Sequence, residues 1–324
     1  MRRRFAVGIA LLAGLGLSTA VAEKWDMPVR SADTNYLTQN MRQFAKDVSE
    51  ATKGKLDIVI HPEDTLVKQP DAKRAVSTGQ INIAEFLLSL HSNESPIFGV
   101  DSVPFLTTDY ASNRKLADAA RPFIADRLAK QRIRLLAIEP WPPQALYANR
   151  EVNSLADLKG LKFRAYNPIT ARMAELMGAQ PVTIQQAELA QAFSSGLVQT
   201  MITSPATGVD TQAWDFISHF YDAKAFITWN SVIVNEAAFQ KLDKDAQSAL
   251  IQAAKDAEDR AWKRAPEVTL ELIETLRKRG MKVQEPGPTL KKELADVGER
   301  MVAEWLKAAG DEGRKIVDAV RSPR

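Results

Sequence analysis

The sequence contains no cysteine and only three histidines, His61, His91 and His219. The first absence excludes disulfides, thiolate nucleophiles and cysteine metal sites, so stability must come from the core. It leaves the compartment open, because an oxidising space permits disulfides without requiring them. The histidines show neither an H-E-x-x-H motif nor any paired spacing, which argues against a metal site. His61 follows a strand pattern, His91 a loop and His219 an amphipathic helical pattern, and each reads as a surface or core-edge imidazole. No G-x-S-x-G elbow, P-loop or strand-borne G-x-G-x-x-G marks a catalytic or nucleotide site. A charge excess is missing too. Lys and Arg number 43 against 40 Asp and Glu, and Arg2, Arg3 and Arg4 account for the difference. The rest of the chain is formally neutral and lacks the basic surplus that a nucleic-acid partner needs.

What is present begins with a leader pattern. The arginine cluster precedes an apolar run from Phe5 to Leu17 and then Ala20-Val21-Ala22. That run is shorter than the roughly 20 residues of a membrane span, and polar Glu23-Lys24 follows at once. Residues 1–22 are therefore expected to be a signal peptide cleaved after Ala22, and the protein to be exported to the periplasm. No later run is apolar for long enough to span a bilayer.

Beyond the leader, strand and helix patterns alternate. WDMPV reads as a strand and residues 31–54 as an amphipathic helix, with Tyr36, Leu37, Met41, Phe44, Ala45 and Val48 at helical spacing and Gly54 at its end. KLDIVIHP alternates as a strand, and INIAEFLL and IRLLAIEP follow, separated by helical stretches. This order predicts an α/β fold with a largely parallel sheet. The proline-dense EPWPPQ, residues 139–144, interrupts the rhythm, because proline cannot donate to a ladder and restrains its predecessor. It marks a crossover between two lobes. A second series runs from LKFRAY through QPVTI to LVQTMITSP. FITWNSVIVNEAAF reads as the return strand, and residues 243–279 as one long helical tract that Pro266 should kink or break. The expected boundaries are 23–141 with 231–268 for lobe I and 142–230 with 269–324 for lobe II. Two lobes joined by several crossings favour a cleft that closes about a hinge.

Catalytic chemistry is sparse. Asp and Glu lie mainly on helix faces spaced against Lys and Arg, as solvated pairs do. Arg164 stands apart. It ends an otherwise apolar strand beside Tyr166 and Asn167, where α/β folds place ligands, and a guanidinium can grip a carboxylate with two parallel hydrogen bonds.

Several collinear motifs then carry a resemblance over nearly the whole of residues 23–324. FAKDVSEATKGKLDIVIHP, TLVKQPDAKRAVSTGQINIA, VPFLTTDYASNRKL, NSLADLKGLKFRAYN, MGAQPVTI, AELAQAFSSGLVQ and VIVNEAAFQKLDKDAQSALIQAA resemble, in order, the substrate-binding subunits of tripartite ATP-independent periplasmic (TRAP) transporters. The resemblance implies a periplasmic-binding-protein fold of two discontinuous α/β lobes around a ligand cleft, with a long helix spanning both. It also implies capture of an organic acid by Arg164, delivery to integral-membrane subunits, no catalysis and no cofactor. A monomer is expected.

The departures from the family pattern bear on the substrate. Gln144 stands where sialic-acid binders carry a second arginine. Phe86, Leu87, Leu88 and Leu90, with Ser89, replace a Glu and an Arg, and Thr203 takes an asparagine position. A single buried arginine pairs with one carboxylate, since a second, unpaired carboxylate is costly to bury. Trp141, Phe86, Leu87 and Trp229 would then cover an apolar body, while Ser89, Gln144, Tyr166, Asn167, Thr203 and Asn230 complete the polar wall. These substitutions predict an aromatic or branched monocarboxylate, with room for a 2-oxo or 2-hydroxy group. Two other readings stay open at this point: a periplasmic enzyme acting on a small carboxylate, and a binding protein that serves a sensor kinase.

Overall fold

The computed structural model describes residues 22–322. The expected leader lies outside the described residues except for Ala22. Strand β1 (Glu23–Pro28) and β2 (Leu56–His61) pair in parallel around helix α1 (Tyr36–Ala51). Asn35 starts α1 by accepting a hydrogen bond from the Leu37 amide, at 2.9 Å, which satisfies one of the donors a helix start leaves free. Leu37, Met41, Phe44, Ala45 and Val48 are its buried face, as the spacing predicts. Helix α2 (Gln69–Thr78) leads into β3 (Ile83–Leu87), and α3 (Tyr110–Ala129) into β4 (Ile133–Pro140).

The chain then crosses. After Pro140, residues 141–144 run beside the returning segment 225–228, with Trp141 N donating to Thr228 O and Gln144 N to Phe226 O, both at 2.8 Å. The proline-rich segment links β4 of one sheet to the first strand of the other. Beyond it lie β5 (Ala145–Ala148), β6 (Lys162–Ala165), α4 (Pro168–Leu176), β7 (Gln180–Thr183), α5 (Leu189–Ser194), β8 (Thr200–Thr203), α6 (Pro205–Asp210) and β9 (His219–Tyr221). The return strand β10 (Trp229–Asn235) leads into α7 (Glu236–Lys241), α8 (Lys244–Lys278), β11 (Lys282–Gln284) and α9 (Pro288–Arg321). The two-lobed α/β architecture is thus present, with the sheet order β3-β10-β4 on one side of the crossing and β11-β9-β5-β8-β6-β7 on the other.

Three expectations need correction. The sheets are mixed, because β10 returns antiparallel between β3 and β4, and β5 is antiparallel to β8 and β9; crossing strands must run back against their neighbours. His219 sits in strand β9, where its buried neighbours Phe220 and Tyr221 make the segment apolar on both faces. Pro266 lies inside α8 without ending it. That helix puts Leu250, Ala253, Ala254 and Ala257 into the core around α1, and Leu276 into the core around Tyr147 and Phe220, so it spans both lobes. Helix α9 also serves both sides. Leu290, Leu294 and Val297 pack with Leu158 and Phe163, whereas Trp305, Ile316 and Val317 pack with Leu116 and Ala120 of α3. Helix α9 thus contributes to cores on both sides of the crossing.

Candidate ligand-binding cleft

Strand β6 delivers Arg164 to the seam between the lobes, fully buried. Its Nε donates to the Ile184 carbonyl at 2.9 Å, while Nη1 and Nη2 are buried without a hydrogen-bond partner. Leaving charged donors unpaired in the interior is strongly unfavourable, so these two atoms mark where an acceptor belongs. Burial, and secondarily the positive charge of Arg30, pull the Arg164 pKa down to about 9. The Tyr166 ring lies 4.9 Å from its guanidinium carbon.

Arg30, just past β1, enters the same seam. Its guanidinium lies 5.4 Å from the Trp141 ring centre and 5.9 Å from that of Tyr166. Asp64, Glu85 and Asp210 face it, and their negative charges partly offset the burial that lowers its pKa. Glu85 accepts from the Arg30 amide at 3.2 Å and from Asn230 Nδ2, yet burial pushes its pKa up to about 7. Burial likewise raises Asp210 to about 6 and Asp101 to about 7.

Most of the residues expected at the site converge on it. Trp141 Nε1 donates to Asn230 Oδ1 at 2.7 Å, and Tyr166 Oη to Gln144 Oε1 at 3.3 Å. Leu87 packs in one cluster with Trp141 and Tyr166, and Thr203 is buried at the end of β8, opposite Ala145. Asn167 works twice. Its Oδ1 caps α4 through the Thr170 amide at 2.8 Å, and its Nδ2 donates across the seam to Ser89 Oγ at 3.0 Å and Ser102 Oγ at 3.2 Å. Beside this bridge, α4 seats Ile169 on Gly99, so closely that a Cβ on residue 99 would overlap Ile169 Cδ1.

Phe86 and Trp229 are not brought to this cluster. Strand side chains alternate between faces; Glu85, Leu87 and Asn230 take the cleft-side face, which sends Phe86 and Trp229 into the core with Ala72, Val76 and Ile138. Trp229 Nε1 is held there by Asn113 Oδ1 at 2.7 Å. Conversely, Arg30, Glu85, Asp101, Gln186 and Asp210 escaped the sequence reading. Arg30 carried the same strand-end signal as Arg164, and Glu85 was a lone carboxylate inside an apolar strand. Among the described residues no group of three or more His, Cys, Asp or Glu side chains is placed to hold a metal ion. Nor is any described helix long and apolar enough to cross a membrane.

These features define a two-lobed α/β protein with a buried, partly unpaired arginine at the seam between its lobes. The chain belongs to the DctP family, bacterial extracellular solute-binding protein family 7, which it matches over residues 29–308. It is 48% identical to DctP7, a Bordetella pertussis extracytoplasmic solute receptor solved binding pyroglutamic acid, with a TM-score of 0.92 over 93% of this chain and 100% of that one. DctP6 of the same organism, also binding pyroglutamic acid, is 44% identical with a TM-score of 0.90 over 92% and 99% of the two chains. A marine-metagenome TRAP solute-binding protein specific for pyroglutamate is 40% identical, with a TM-score of 0.91 over 93% and 99%. The chain is accordingly a TRAP-type solute receptor for organic acids.

Proposed function

We propose that the protein is the periplasmic receptor of a TRAP transporter and that its ligand is a compact cyclic monocarboxylate of the pyroglutamate kind, handed to integral-membrane subunits. The observation that carries this reading is the buried Arg164, whose two free Nη atoms match one carboxylate. The three receptors at 40–48% identity that bind pyroglutamate support the choice of acid. Relative to the aromatic or branched acid expected from sequence, the single carboxylate is kept and the body narrows to a five-membered ring. Trp141, Tyr166 and Leu87 supply the apolar wall, while Gln144, Ser89, Asn167, Thr203 and Asn230 supply or position polar contacts. Lobe I is proposed to comprise 23–141 and 231–268, lobe II 142–230 and 269–287, with α9 shared.

The function is capture without turnover. An open receptor meets the acid on one lobe, and closure adds the contacts of the other; the ligand shifts the equilibrium only by binding the closed form more tightly. Calorimetry on residues 23–324 with L-pyroglutamate, phenylpyruvate, a branched 2-oxo acid and succinate tests this reading. One-to-one binding of pyroglutamate with no product is expected. Selective binding of succinate would overturn the monocarboxylate assignment, selective binding of phenylpyruvate would restore the aromatic one, and conversion of any acid would favour an enzyme.

A further inference from the structure

Gln186 lies between β7 and α5, two residues after the carbonyl that holds Arg164 Nε. It lines a cavity of about 460 Å³ together with Arg30 and Asp210. The residue is 9% exposed, and its Oε1 is buried with no hydrogen-bond partner. The other end of the amide is engaged, with Nε2 donating to Asp210 Oδ2 at 3.2 Å. Asp210 is itself positioned across the seam by Asn35 Nδ2, which donates to the same oxygen at 2.8 Å. An ionised carboxylate only accepts, so Asp210 dictates which way the Gln186 amide faces. The NH2 group turns to the carboxylate and the oxygen is left free. Of the other buried side-chain carbonyl or carboxylate oxygens without a partner, Asp64 Oδ1 faces the charge of Arg30, and Glu139 belongs to a carboxylate that Asn40 of α1 engages.

We infer that Gln186 is a specificity-determining residue, an oriented acceptor that reads an N–H on the ligand ring, with Asp210 as its positioning residue. This rests on the proposed pyroglutamate-type ligand and deepens it, because a lactam presents an N–H beside its carboxylate whereas 2-oxo acids do not. A site built to receive an N–H rejects the analogue lacking it, since its own acceptor is then left unpaired or faces another lone pair.

The test compares L-pyroglutamate with the γ-lactone of 2-hydroxyglutarate, the same ring with oxygen in place of N–H, by calorimetry on the wild type and on Gln186→Met, which keeps the shape and removes the acceptor. The wild type should prefer the lactam by about 10- to 100-fold. In Gln186→Met the ratio should fall close to one through loss of lactam affinity. In Asp210→Asn, which can also donate and so releases the amide to flip, it should fall part of the way. Equal wild-type affinities, or an undiminished ratio in both variants, would overturn the inference while leaving the receptor reading intact. A wild type that binds neither compound would bring down the ligand reading and this inference with it. Should Gln186→Met fail to fold, Asp210→Asn alone decides.

Discussion

The two buried arginines of the seam are alike in burial and opposite in company. Arg30 faces Asp64, Glu85 and Asp210, so its charge is partly answered inside the protein. Arg164 has one carbonyl for its Nε and no acid among the charges that shift it, only the repelling Arg30 and the phenol of Tyr166. On the proposed function, one arginine therefore belongs to the framework and the other to the ligand. Position in sequence did not separate them, since Arg164 lies near the end of a strand and Arg30 just past one; the acids gathered around one of them did.

The sharpest way to break the comparison is to delete each charge in turn. Arg164→Ala should cost about 3–5 kcal/mol of binding, more than a hundredfold in Kd, while the empty protein keeps its melting midpoint or gains a little from losing an unpaired buried charge; calorimetry and a thermal melt read both. Retained affinity would remove Arg164 from the site. Arg30→Met should instead destabilise the empty protein, because it leaves three acids without their cation, and lower the midpoint by several degrees. If the two variants behave alike, the distinction between framework and ligand arginine fails.

A pH series sharpens the same point. Glu85 and Asp101, raised to about 7, and Asp210, raised to about 6, hold protons in the folded chain at pH values where the unfolded chain has released them. Their contribution to stability is fully present below about pH 4 and is lost as pH rises through 6 to 7. The melting midpoint of the empty protein should therefore be lower at pH 8 than at pH 5.5, and Glu85→Gln should flatten that slope. The smallest expected effect is that of Tyr166→Phe. It removes one hydrogen bond to Gln144, worth about 0.5–1.5 kcal/mol, and should weaken binding severalfold with little change in the melt.

Much of this was legible from residues alone. The amphipathic face of α1, the proline-rich crossing and the return strand followed from periodicity and backbone chemistry, and Arg164 from its place at a strand end. What was not legible depends on which face of a strand a side chain takes. The stretch Glu85-Phe86-Leu87 is apolar except for its glutamate, so composition pointed to Phe86, whereas alternation gives the cleft to its two neighbours. Pro266 misled in the other direction, because packing on both lobes carries α8 through a residue that weakens an isolated helix. The pairing of Gln186 with Asp210 joins residues from separate loops and leaves no local pattern to read.

The seat of Ile169 on Gly99 turns closure into a measurement. Side chain meets bare backbone there, so the approach of α4 to residue 99 leaves no room for even a Cβ. If the lobes close as proposed, an acid too bulky to let that contact form would hold the seam ajar. A methyl group added at residue 99 would act in the same way without any ligand, wedging the two sides apart from within.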